Sequence, residues 1–172
     1  MTLNTHEILY IQALGAYPYE LAECIEKLQY VLNATNEHPG AHYLLGKIYE
    51  EQLRDYKKAR YHYEMALYID HKFAPVYFQY ADLLISLDEM EEALKVINIG
   101  LEIPGTDKAS LLYLNGILYE HFEMYHLANE YYKKAKLSAL NNDFTHFMDE
   151  QLNRVKEKLN QIKKGSAFKN NR

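Results

Sequence analysis

A period of 34 or 35 residues runs through this chain and leaves few folds open to it. Gly46, Ala81 and Gly116 are small residues spaced 35 and 35 apart, each followed three positions later by a large one, Tyr49, Leu84 or Tyr119. A second register keeps step. Ala59, Tyr63 and Ala66, then Ala93, Ile97 and Gly100, then Ala128, Tyr132 and Ala135 repeat small, large, small at separations of 34 and 35. Spacings of three and four within each set predict helices, and two helices per period predict antiparallel pairs. A glycine inside a helix costs about 1 kcal/mol relative to alanine. Gly46 and Gly116 therefore need a return, which close helix approach supplies: a small side chain on one helix admits a large one from its partner. One such pair cannot bury its apolar face alone, so neighbours must stack.

The arrangement resembles the tetratricopeptide repeat (TPR), a unit of about 34 residues with Leu-Gly, Tyr, Ala, Phe and Pro at fixed offsets. The resemblance covers about residues 5 to 165 and departs from the family at two places. The family's Trp is replaced by His42, Tyr77 and Leu112, and its late Pro by His71, Gly105 and Leu140. It implies an all-α, right-handed helical-hairpin solenoid closed by a C-terminal capping helix.

Turn residues mark the boundaries. Residues 1–38 read as a degenerate N-terminal helical pair, with Cys24, Leu28 and Val31 projected onto the small, large, small set. Repeats then span 39–73, 74–108 and 109–142. The breaks fall at Asn36-Glu37-His38-Pro39-Gly40, His71-Lys72-Phe73-Ala74-Pro75, Ile103-Pro104-Gly105-Thr106-Asp107 and Asn141-Asn142-Asp143. Within pairs the turns are Gln52 to Asp55, Ser86 to Glu89 and His121 to Met124, the first hairpin carrying one extra residue between Gly46 and Ala59. Residues 143–164 form an amphipathic capping helix, and 165–172 a disordered basic tail.

Of 172 residues 48% are apolar, yet no run approaches the ~20 needed to span a membrane. The start, Met-Thr-Leu-Asn-Thr-His-Glu, has no basic patch followed by an apolar stretch, so a cytoplasmic chain without a secretory signal is expected. Cys24, the single cysteine, is expected to be inert packing. Net charge is −5 but uneven: residues 154–172 hold seven Lys or Arg against Glu157, leaving −11 for the remainder. An acidic body with a basic end is not a duplex-DNA binder, and cations suit a helix C-terminus. Neither nucleic acid nor membrane is expected as a partner.

No catalytic constellation emerges. His38 and His42 are four apart, but Pro39 and Gly40 break the helix that would put both on one face. Gly-rich phosphate loops, Cys-x-x-Cys and Gly-x-Ser-x-Gly are all missing. Neither enzyme activity, nor a metal, nor a cofactor is expected. Tyrosine is the compositional outlier, at 17 residues. The repeat accounts for Tyr49, Tyr63, Tyr119 and Tyr132 as core, while Tyr10, Tyr56, Tyr61, Tyr68 and Tyr131 are candidates for exposure.

The resemblance implies a groove lined by the first helix of each pair. Projected onto this chain, its apolar ladder is Leu9, Tyr43, Phe78, Tyr113 and Phe147, flanked by Lys47, Asp82, Ile117, Glu50 and Glu120. Two readings of Tyr43, Phe78 and Tyr113 stand open: anchors for a ligand, or half-buried core against the next repeat. Carboxylate-clamp members of the family grip acidic peptide tails with several cations. Only Lys47 is basic among the corresponding positions here, and Glu50, Glu51 and Glu120 would repel such a tail. The expected function is non-catalytic protein binding, as an adaptor or client chaperone holding an extended or helical segment of a protein or peptide client. The alternative is a self-assembling homo-oligomer whose groove or end is filled by another copy.

Overall fold

The computed structural model describes residues 4–169, and every regular element among them is helical. In chain order these are α1 (Thr5–Ala16), α2 (Leu21–Ala34), α3 (Pro39–Lys47), α4 (Tyr56–Ile69), α5 (Val76–Ser86), α6 (Met90–Glu102), α7 (Lys108–His121), α8 (Tyr125–Ser138) and α9 (Asn142–Lys169). The starts of α1, α3, α4 and α7 are set by side chains that satisfy otherwise orphaned backbone N–H groups. Asn4 accepts from the N–H of Glu7 at 2.8 Å, Asp55 from Lys58 at 3.2 Å and Asp107 from Ser110 at 3.1 Å. His38 caps α3 through Nδ1, 3.0 Å from the Ala41 N–H, with Pro39 in the first turn where its missing donor costs nothing.

The chain divides into two compact units, residues 1–83 and 84–172. In the first, α1 and α2 pack on α3 around Ala13, Cys24, Leu28, Val31, Ala41, Leu44, Leu45 and Ile48. The degenerate first pair is thus a working hairpin, with Ala13 and Cys24 close enough for the Cys24 thiol to donate to the Ala13 carbonyl at 3.3 Å. Burial raises that thiol's pKa, as expected of a packing residue. In the second unit, α8 and α9 close on Ala128, Tyr132, Ala135, Met148 and Val155.

The small-to-large logic holds in atomic detail. A Cβ built on Gly46 would overlap the ring of Tyr63, and one on Gly116 the ring of Tyr132. Both tyrosines are fully buried.

The extra residue in the first turn has a structural counterpart. The helix begun by α3 does not stop at Lys47 but widens into a π-turn over Ile48–Gln52, where the Leu53 N–H reaches the Ile48 carbonyl at 3.1 Å. In the two later turns, Glu89 N–H to Leu84 O (2.9 Å) and Met124 N–H to Tyr119 O (2.8 Å) span five residues. The matching bond in the first, Asp55 N–H to Tyr49 O at 2.8 Å, spans six. All three turns then reverse through a non-glycine residue in the left-handed region: Arg54 (φ 53°), Asp88 (φ 64°) and Glu123 (φ 56°).

At the far end α9 runs to Lys169, beyond the Lys164 boundary drawn from the pattern. Residues 165–169 are therefore helical rather than disordered. One glycine costs a helix only about 1 kcal/mol, and lysines near the C-terminus favour the helix dipole. Residues 170–172 of the expected tail lie outside the described residues.

Candidate functional site

A stripe of half-covered side chains follows the first helix of each hairpin. On α3 and its π-turn, Tyr43, Lys47 and Glu50 fall at steps of four and three, which is one helix face. Along α7 the same steps give Tyr113, Ile117 and Glu120. All six are partly buried, while the residues between them, Leu44, Leu45, Gly46 and Leu114, Asn115, Gly116, are buried. Phe78 on α5 is partly buried and Asp82 exposed. Leu9 packs partly buried against the first unit's core.

Two of the aromatic rungs, Tyr43 and Tyr113, are half-buried against neighbouring rings. Tyr43 meets Phe73 edge-on at 5.7 Å and Tyr63 at 6.3 Å between ring centres. Tyr113 meets Phe147 at 5.2 Å, Tyr132 at 6.0 Å and Phe144 at 6.3 Å. Each ring thus packs on the following helix or turn while keeping an accessible edge. Burial, with Glu51, Tyr10 and Glu50 nearby, pushes the Tyr43 hydroxyl up to about 12. Phe147 is 37% exposed, so the rung on α9 is open on one side.

The charged members of the stripe differ sharply between the units. In the second, Glu120 accepts from Arg154 at 2.7 and 3.1 Å, from Lys158 at 2.9 Å and from the Tyr132 hydroxyl at 2.9 Å. Burial alone would raise this carboxyl, but those hydrogen bonds outweigh it and hold it below the usual range. Glu120 is consequently a fastening for α9, its carboxylate already occupied from within the chain.

Its counterpart in the first unit, Glu50, accepts from the Tyr63 hydroxyl at 2.5 Å. Burial and the charges of Asp82 and Glu51 raise Glu50 despite that bond and Lys47. Asp82, though exposed, is also raised by desolvation. Lys47 is drawn to Glu51 at 3.5 Å and lies 5.4 Å over the Tyr17 ring, while the Tyr17 hydroxyl donates to the same glutamate. The first unit therefore presents two carboxyl groups, Glu50 and Asp82, that would gain from a cation.

One pairing was invisible to the sequence pattern. His42, 5% exposed, places Nδ1 2.9 Å from Nδ1 of His62, whose ring stacks on Tyr49 at 5.4 Å and 8°. Burial lowers both, His62 to about 4 with help from His42 and Lys58. The two lie twenty residues apart, and only the antiparallel pairing of α3 with α4 joins them. Among the described residues no group of three or more His, Cys, Asp or Glu could hold a metal. Of the tyrosines taken as exposed, Tyr56, Tyr61 and Tyr68 are. Tyr10 and Tyr131 are half-buried: Tyr10 fills the space beside Gly40 and meets His38 at 4.6 Å, and Tyr131 stacks on Tyr119 at 5.0 Å. No described helix is long and apolar enough to cross a membrane.

The tetratricopeptide repeat model matches residues 39–72 and 74–104. No curated protein sequence matches the chain. Among solved structures, PilF of Pseudomonas aeruginosa superposes with a TM-score of 0.76 at 19% identity, over 88% of this chain and 69% of that one. PilW, described as a widely conserved type IV pilus biogenesis factor, gives 0.79 at 18% identity over 93% and 72%. MamA from Desulfovibrio magneticus RS-1, residues 41 to its end, gives 0.70 at 18% over 99% of each chain. At these identities the likeness is one of fold: an all-α TPR fold.

Proposed function

This chain carries tetratricopeptide repeats, and from that premise we propose that it is a non-catalytic protein-binding module, an adaptor or client chaperone of the cytoplasm. Its partner is a protein segment, extended or helical, held along the first helices of the hairpins. The observation that carries this reading is the repeated stripe. Tyr43 with Lys47 and Tyr113 with Ile117 are left half-covered in the same register seventy residues apart, as a surface kept for contact would be. Aromatic edges offer contact area at low entropy cost, and Glu50 with Asp82 favours a basic residue in the segment bound there.

Truncating Tyr43 or Tyr113 would disturb the packing just described, so the test uses the charged positions. An affinity capture from native lysate with the wild-type chain, set beside Asp82→Lys and Glu50→Gln, is expected to show a partner retained by the first and lost from the others. The same proteins retained by all three forms would count against the stripe.

Self-association is a second reading, favoured by α1, whose Ile8, Ile11 and Leu14 are 43%, 50% and 43% exposed on a helix that also buries an apolar face. Sedimentation of wild type against Ile11→Asp decides it: a dimer present in the first and lost in the second would support assembly through α1.

A further inference from the structure

In the second unit an apolar stripe outlasts the helix it packs against. Along α9, Met148, Leu152, Val155, Leu159 and Ile162 alternate steps of four and three, the spacing of a coiled-coil seam. Met148 and Val155 are fully buried, and Leu152 and Leu159 pack partly buried on the same core. Coverage then thins, because α8 begins at Tyr125, and Lys158 lies 5.3 Å over that residue's ring. Beyond this point Leu159 and Ile162 join Met124 and Leu127 in an open cleft of about 290 Å³, lined also by Glu123, Tyr125 and His126. Met124 is 52% and Ile162 50% exposed.

Charge decides what such a cleft can take. Of the α9 residues adjoining seam positions Val155, Leu159 and Ile162, the charged ones are Arg154, Lys156, Lys158 and Lys163, and residues in such places select partners by charge. Lys158 is held by Glu120, whereas Lys156 and Lys163 are exposed. We infer that the cleft between α9 and the start of α8 docks an amphipathic helix of a partner protein, apolar on the buried face and acidic on its flanks. A second copy of α9 would bring the same lysines against these and is repelled. A flat anionic membrane would meet the lysines but not the floor of a cleft set between two helices. This surface is separate from the stripe on the first helices, and neither proposal depends on the other.

The test uses two synthetic helical peptides with an identical leucine seam, one carrying Glu and one Lys at the flanking positions, titrated into the full chain by fluorescence anisotropy. The Glu peptide is expected to bind with a Kd of roughly micromolar order, weakened by salt, and the Lys peptide at least about tenfold more weakly. Lys156→Glu with Lys163→Glu should reverse that preference. Met124→Ser with Ile162→Ser should weaken the Glu peptide by about tenfold or more while circular dichroism stays unchanged, each position losing much of a buried apolar contact. Equal binding of the two peptides, or no binding of the Glu peptide, would overturn the inference. So would binding indifferent to the variants. A dimer abolished by Ile162→Ser would assign the cleft to another copy, and displacement of the Glu peptide by phosphatidylserine vesicles would assign it to lipid.

Discussion

At the scale of single residues, the chain's least comfortable side chain is Asn115. It is fully buried in α7, and neither its Oδ1 nor its Nδ2 meets a hydrogen-bonding group of the protein. A buried polar group left in that state costs about 1–3 kcal/mol. The same register position two repeats earlier is Leu45, also buried. Asn115→Leu is therefore expected to stabilise the chain by about 1–3 kcal/mol, read as a higher denaturant midpoint at unchanged slope. The histidine pair gives a prediction in the other direction. His62 titrates near 4 in the fold against about 6.5 when unfolded, so the unfolded chain binds more protons between those values. Stability tied to His62 is whole above the unfolded value and is lost as pH falls from about 6.5 towards 4, on the order of 3 kcal/mol. The raised carboxyls of Glu50 and Asp82 work oppositely over acidic pH. The contrast between wild type and His62→Gln isolates the imidazole: the wild type's melting point should fall more steeply over that window.

At the scale of elements, α9 is fastened along its length by Phe144 and Phe147 on Tyr113, by Asp149 on Lys136 and by Arg154 and Lys158 on Glu120. The Glu120 side chain is only 9% exposed, but its cationic partners are 49% and 42% exposed. Removing both cations leaves a nearly buried carboxylate facing Tyr132 alone. Arg154→Ala with Lys158→Ala should cost about 1–3 kcal/mol, less than for a fully buried pair because solvent screens the partners. Amide exchange in α9 should quicken before that in α7. The elements also show what the sequence could carry. Helix pairs were legible because Gly46, Gly116, Tyr63 and Tyr132 encode contact directly, as size at a fixed interval. The fastening of Glu120 was not, since a glutamate reads the same whether it waits for a partner or already has one thirty-four residues away. His42 and His62 escaped for a similar reason: ligand and pair searches look along one helix, and these meet across two.

At the scale of the whole molecule, contacts are local and each unit has its own core. Chains of this kind are stabilised by repeats and their neighbours more than by distant parts. Ile48→Ala in the first unit and Met148→Ala in the second each delete a fully buried side chain, a change worth about 2–5 kcal/mol. Each should lower hydrogen-exchange protection chiefly within residues 1–83 or 84–172 respectively. Uniform loss across the chain in either variant would show that it opens as one body.

The π-turn over Ile48–Gln52 bears on how such sequences are compared and recombined. Adding one residue to an α-helix turns everything after it by about 100°, which would swing α4 off its seat. Here the widened turn absorbs the insertion, and Tyr63 still meets both Gly46 and Glu50 as Tyr132 meets Gly116 and Glu120. An alignment gap between these hairpins therefore belongs after Glu50, in the turn, and not within either packing face. Anyone grafting a loop or swapping hairpins in this chain has one position already known to accept a change of length.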